Sequence, residues 1–235
     1  MADSPKIRKI RLHEQLKRDI LCLDLPPGHD LDEAALSEKF GLSRTPLREV
    51  LLQLVGEGYA EQHPNRGCRV SEMSHTSLRN FFLAAPMVYG AVLQLAAQNA
   101  QPLQIARLKE AQQRFRDALK SGSAAARSLA NNEFHMITGE MADNAYLQPS
   151  FQRLLIDHAR IGVTFYRPQT PEMTENLSKA SEQHDAIIAS IEAHDAAAAA
   201  QLSTDHWNLS RGQIEMFVMP VGLDGGLELP RATEG

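Results

Sequence analysis

The chain is poor in cysteine and aromatic residues, and it carries no large charge excess of either sign. Of its 235 residues only Cys22 and Cys68 are cysteines, far apart and in no zinc-ligand spacing. That excludes a disulfide framework and a cysteine-based zinc module, and it suits a reducing cytoplasm. No unbroken apolar run approaches the length of a membrane span, so no membrane partner is expected. The opening MADSPKIRKIRL is basic but lacks an apolar core, so no secretory signal is expected either. The formal net charge is −5. Nucleic-acid binding therefore cannot be read from overall charge and must rest on local pattern.

What is present is ordinary material for a folded protein. The hydrophobic share is 43%, and the length suffices for one or two domains, each with a core. Two textures divide the chain. Residues 1–72 mix short helical patterns with turn signals, whereas residues 76–218 read as helix after helix, rich in Ala, Leu and Gln. SEMSHTS joins them as a small, polar linker. Residues 219–235 hold Pro and Gly without periodicity and read as a flexible tail.

In the first region, IRKIRLHEQLKRDILCL places Ile10, Leu12, Leu16, Ile20, Leu21 and Leu23 at helical spacing. Pro26, Pro27 and Gly28 then break the helix. DEAALSEKF predicts a short helix with Ala35, Leu36 and Phe40 inward, ended by Gly41. A further helix must begin near Arg44 to Pro46, because proline is tolerated only in a first turn. Ser43 or Thr45 can cap it, and Leu47, Val50, Leu51 and Leu54 form its buried stripe. GYAEQ and CRV read as two short strands around HPNRG, that is, as a wing. A helix, a glycine-bearing turn and a second helix make a helix-turn-helix, whose second helix presents its first turn to the DNA major groove. Here that turn carries Ser43, Arg44, Thr45 and Arg48. The planar arginine fork suits guanine edges and phosphates. Arg66 at the wing tip can reach a phosphate or the minor groove, and Gly67 allows close backbone approach. A helical hairpin with surface arginines is the alternative reading.

These residues resemble the GntR family of bacterial transcription regulators. LPPGHDL, LSEKFGLSRTPLREVLLQLVGEGY and PNRGCRV are similar to its winged-helix signature, SRTPLRE most specifically. The resemblance implies that Arg44, Thr45 and Arg48 read or clamp operator DNA, with the wing around Arg66 and Gly67 beside it. One departure is Ala34, where many members carry a basic residue.

The second region predicts an all-α antiparallel bundle of about six or seven helices, with segments 77–99, 103–120, 126–142, 146–167, 174–193 and 196–218. The fold class expected overall is mainly α. Asn131 and His135 lie one turn apart in NNEFH, among Phe134, Met136 and Ile137. His184 and His206 lie before and after the turn at His194 and Asp195. At ~15 Å from that turn on antiparallel helices, the two are level and can meet. A core histidine satisfied by a neighbour is one reading; a three-histidine cage for a divalent metal is the other.

The arrangement resembles the ligand-binding domain of the FadR subgroup of that family, the FCD domain. ANNEFH, SEQHDAII and STDHWN follow its order and spacing. The resemblance implies Asn131, His135, His184 and His206 as ligands to a divalent metal, zinc first, with nickel or another first-row ion as alternatives. It departs in having Asn131 where aspartate is usual, a weaker and neutral ligand. It departs again in FFLAAPMVYGAV, where Ala85 and Tyr89 occupy places often held by arginine and glutamate. Pro86 there should kink or interrupt the helix. Arg160 and Tyr89 are the candidate effector contacts, Arg160 as a clamp for a carboxylate, and His158 on the same helical segment could also face the cavity.

The resemblance and the motifs together imply a cytoplasmic homodimer that binds a palindromic operator. A small organic acid, a carboxylate or sugar acid, would modulate that binding. A regulator sensing zinc or nickel itself is an alternative. A metal-dependent hydrolase is a third reading, disfavoured because Glu133, Asp185 and Asp205 adjoin the histidines in sequence and so point elsewhere on their helices.

Overall fold

The computed structural model describes residues 4–64 and 67–218. It is mainly α, with a small winged head followed by a helical bundle. Arg66 and the expected tail lie outside the described residues.

In the head, α1 (Pro5–Leu21) is capped by the Ser4 side chain and carries proline in its first turn, where the missing N–H does no harm. It buries Leu12, Leu16, Ile20 and Leu21, while Ile7 and Ile10 stay exposed. α2 (Glu33–Phe40) is capped by Asp32 and stopped by Gly41 at φ +61°. Leu36 and Phe40 pack on the core as expected, but Ala35 faces solvent because this short helix lies on the surface. α3 (Arg44–Glu57) buries Leu47, Val50, Leu51 and Leu54. Ser43 holds its N-cap position without a side-chain hydrogen bond. Gly56 stays helical, and Gly58, at φ +88°, ends the helix. β2 (Ala60–His63) and β3 (Gly67–Val70) form the wing hairpin. β1 (Asp30–Leu31), a strand the sequence pattern did not announce, pairs with β3. Two residues give too short a run for alternation to show.

The bundle comprises α4 (His75–Asn99), α5 (Pro102–Ser121), α6 (Ala124–Ala142), α7 (Gln148–Phe165), α8 (Pro171–Glu192) and α9 (Ala196–Val218). α4 runs unbroken through Pro86, although the carbonyl of Phe82 must forgo its usual N–H partner there. In length and mean hydropathy α4 does reach what a membrane span requires, contrary to the expectation from unbroken apolar runs. Its polar residues interrupt the run without lowering the average enough. Phe81, Ala85, Tyr89, Val92, Leu93, Ala96 and Ala97 are buried within the bundle.

Head and bundle share a core. Ile156 and Ala159 of α7 belong to the apolar cluster built around Leu12, Leu47 and Leu54. Where α6 meets α7, Gly139 is required. A Cβ there would lie 2.7 Å from the ring of Phe151, closer than packed atoms stand. That approach brings His135 of α6 and His158 of α7 to 5.2 Å between ring centroids.

Candidate functional site

The first turn of α3 stands free of the core. Ser43, Arg44, Thr45 and Arg48 are all exposed. Arg48 Nε lies 2.9 Å from Glu33 Oε2 while its side chain stays 61% exposed, so it can exchange that carboxylate for another anion. Gly67 begins β3 at φ +75° with open space where a Cβ would stand. Arg66 falls outside the described residues.

Within the bundle, His135, His184 and His206 converge, and each offers a ring nitrogen within 4.8 Å of the others. α6, α8 and α9 supply one imidazole each. His184 lies flat on Phe134, with centroids 3.8 Å apart and planes 7° from parallel. The Phe before His135 therefore fixes the ring of a different histidine. Gln112 of α5 orients His184 from behind. Its amide N–H donates to the Ser181 carbonyl at 2.8 Å and to Asp185 at 3.0 Å. Its Oε1 is thereby free to accept from His184 Nδ1 at 3.0 Å, which leaves a lone pair on Nε2. Gln183 Oε1 engages His206 Nδ1 in the same way at 2.9 Å.

Three buried polar atoms here have no hydrogen-bond partner: Asn131 Oδ1, His135 Nε2 and His184 Nε2. Buried polar atoms are rarely left so, and all three are potential donors to a cation. Burial holds His135 and His184 well below the usual histidine range and His206 at about 4. Neutral imidazoles are the form that binds metal. The residues thus fit a divalent metal. Asn131 stands one turn before His135 on α6, buried as the one-turn spacing requires.

His158 of α7 is the fourth imidazole; it faces the cavity, as its place on the 146–167 segment allowed, although no repeat or spacing ties it to the other three. Its Nδ1 lies 2.8 Å from the Tyr89 hydroxyl, and burial holds it at about 3. Tyr89 packs edge-on against His135 and Phe151. Two small cavities adjoin His158 and His206, of about 10 and 20 Å³, each room for about one water. Their walls include Leu93, Phe165, Tyr166 and Trp207. Trp207 is buried in the bundle, which removes it from the exposed surface.

Arg160 does not face this pocket. Two residues beyond His158 it points the other way, since two helical steps turn a side chain by about 200°. Its guanidinium is fully buried, paired with Asp157 and donating to the Ser71 carbonyl at 2.7 Å. The expected carboxylate clamp is instead a brace between bundle and head. Nor, among the described residues, does a carboxylate beside the histidines stand ready as a general base. Asp185 is held by Gln112 and Arg116, Glu133 by Arg114 and Asp205 by Gln201.

Comparison with known proteins agrees with both halves. The family described as "FCD domain" matches residues 87–209, more than half of the chain. The family described as "Bacterial regulatory proteins, gntR family" matches residues 9–70. The chain is 25% identical over 198 residues to the HTH-type transcriptional repressor RspR of Escherichia coli (strain K12), covering 83% of this chain and 84% of that protein. It is 27% identical over 197 residues to the HTH-type transcriptional repressor GlaR of the same organism, covering 81% and 88%. Among solved structures, E. coli McbR/YncC superposes with a TM-score of 0.74 at 20% identity, over 93% of this chain and 100% of that one. A GntR regulator from Rhodococcus sp. RHA1 gives 0.65 at 19% identity, over 89% and 98%. At these identities the two structures speak to the fold.

Proposed function

The chain belongs to the GntR family of bacterial regulators and carries an FCD domain, a family of transcription regulators and not of enzymes, and from that premise we propose a cytoplasmic, FadR-type, metabolite-responsive repressor. The winged head binds a palindromic operator as part of a homodimer, through Ser43, Arg44, Thr45 and Arg48, with Arg66 and Gly67 on the wing. Two heads linked in one particle multiply the affinity of either alone. A second copy would seat on the exposed face of α4, where Leu83 and Met87 stand one turn apart at 64% and 72% exposure. Repression is the activity named for RspR and GlaR.

The observation that carries the sensory half is the set of three imidazoles with nitrogens within 4.8 Å. Asn131, His135, His184 and His206 would hold a divalent metal, zinc foremost, which supplies a positive docking point for the oxygen of a small acid. Tyr89 lies against that site. The remaining work is done by the chain itself. α7 carries His158 at the pocket and Ile156, Ala159 and Arg160 at the head, so a ligand that moves α7 changes the seating of the head. This needs only a ligand that favours one of two arrangements.

The cavity dimensions favour a second reading. Room for about one water on each side of the cluster suits a regulator for which the metal itself is the signal. One experiment separates the readings. Operator retardation is measured with chelated protein, with zinc, and with zinc plus short organic acids. A change on adding zinc alone supports metal sensing, and a change needing the acid supports metabolite sensing. Arg48→Ala should abolish retardation in all three conditions while leaving metal content intact. Retained DNA binding would reject the assigned head. His135→Ala with His184→Ala should remove bound metal; undiminished metal content in that variant would reject the cage.

A further inference from the structure

His184 and His206 are set up differently from His158. Gln112 Oε1 draws the proton of His184 to Nδ1, and Gln183 Oε1 does the same for His206, so both present Nε2 lone pairs. At His158 the partner is a phenol. Tyr89 is buried, and among the described residues His158 Nδ1 is the hydrogen-bond partner of its hydroxyl. The O–H must therefore donate to Nδ1, because the reverse arrangement leaves a buried O–H with no acceptor. With Nδ1 accepting, the neutral ring carries its proton on Nε2. His158 thus presents an N–H where His184 and His206 present lone pairs. It cannot ligate a cation in that form, but it can donate to a ligand.

We infer that His158, held by Tyr89, is the ligand-facing donor of this pocket, and that the ligand is a small monocarboxylate with an apolar body. The inference rests on the metal-holding reading of His135, His184 and His206 given above. Charge sets the first half of the ligand's description. Asn131 and three neutral imidazoles compensate none of a dication's charge, so an anionic oxygen is favoured beside them. His158 lines both cavities and its ring is 5.2 Å from that of His135, so its N–H would take an oxygen of the same carboxylate. The walls set the second half. Among the described residues lining the two cavities there is no lysine or arginine, and Leu93, Phe165 and Trp207 are apolar. The nearby buried cations are engaged elsewhere: Arg160 by Asp157 and Ser71, Arg127 by the carbonyls of Ala118, Leu119 and Tyr166. A second carboxylate would be buried with no cation to meet it, and a sugar acid carries more hydroxyls than the three these walls offer in return, those of Tyr89, Ser203 and Tyr166. The cavities are smaller than such a ligand, so binding must displace wall residues, and this couples occupancy to the position of α7.

The test uses the full-length protein loaded with zinc for calorimetry and with cobalt(II) for visible spectroscopy. Benzoate and butyrate are titrated against succinate and gluconate. The expected result is that a monocarboxylate binds and the two more polar acids bind at least about tenfold more weakly. His158→Leu should weaken the monocarboxylate about tenfold or more while leaving the cobalt spectrum of the acid-free protein unchanged. His158→Gln, which keeps an N–H near the same place, should restore most of the affinity, and Tyr89→Phe should lose several-fold because the tautomer is no longer fixed. Unchanged affinity in His158→Leu, tighter binding of succinate or gluconate, or no binding of either monocarboxylate overturns the inference. So does an altered cobalt spectrum in His158→Leu, which would make His158 a metal ligand. Wild type that takes up neither metal defeats the metal-holding reading itself, and is seen before any acid is added.

Discussion

His158 and Arg160 stand two residues apart on α7 and are held by different parts of the molecule. His158 Nδ1 is hydrogen-bonded to the hydroxyl of Tyr89 of α4 at 2.8 Å, inside the bundle. Arg160 donates to the Ser71 carbonyl at 2.7 Å, at the end of the wing. Ile156 and Ala159 between and beside them belong to the head's apolar core. One helix therefore touches the histidine pocket on one face and anchors the DNA-binding head on the other. Any ligand that shifts α7 acts on both.

Arg160→Met tests the anchor. It removes the nearer partner of the buried Asp157, leaving Arg153 at 3.6 Å, and takes away the donor to the Ser71 carbonyl. Breaking a buried pair from one side costs about 3–5 kcal/mol, so denaturant unfolding should show a loss of that order. Metal content should be unaffected, since Arg160 faces away from the histidines. A stability loss below about 1 kcal/mol would show that the brace contributes little.

Glu33→Gln tests how Arg48 is held in the free protein. The carboxylate at 2.9 Å competes with DNA for the guanidinium. Its neutralisation should tighten operator binding modestly, whereas Arg44→Ala should weaken it and lower the salt dependence by about one phosphate contact if Arg44 grips the backbone. Retardation across a salt series reads both effects. Weaker binding in Glu33→Gln would mean that the carboxylate positions Arg48 for DNA.

Acid should destabilise the metal-free protein. His206 is held at about 4 and His158 at about 3, with His135 and His184 also well below the ordinary value of 6.5. The folded pKa values are depressed, so below pH 6.5 the unfolded chain takes up protons that the folded protein does not. The stability from keeping these rings neutral is complete above about pH 6.5 and is lost progressively as pH falls toward the folded values. Tm of the chelated protein should therefore drop between pH 6.5 and 5, and less steeply in His158→Leu. A Tm independent of pH across that interval would contradict neutral burial of the four rings.

Leu83→Glu with Met87→Glu tests the dimer face on α4. Two charges on an exposed apolar stripe should leave the fold intact and shift sedimentation to the monomer, with loss of operator affinity. A dimer that survives both substitutions is built on another surface.

Much of the head was legible because its signals are local. Pro46 fixed the start of α3, Gly41 the end of α2, and the buried stripe from Leu47 to Leu54 followed from the 3.6-residue period. Resemblance to known regulators located the three converging histidines, and the level placement of His184 and His206 around the turn at His194 was already implied by helix rise. Direction was harder to foresee than position. Arg160 resembled a ligand clamp, yet one helical face away it became a brace to Ser71. Ala35 fell on the solvent side of a helix too short to show which face was inner.

The sequence by itself determined the winged head, the helical segments and the pairing of Asn131 with His135 on one face, since each depends on residues within a turn or two of one another. Only the tertiary structure decided that Phe134 stacks on His184, that Gln112 and Gln183 fix two imidazole tautomers, and that Tyr89 sets a third the opposite way at His158. Those contacts join residues between 23 and 72 positions apart. No local period encodes them, because they exist only once α4 to α9 have packed.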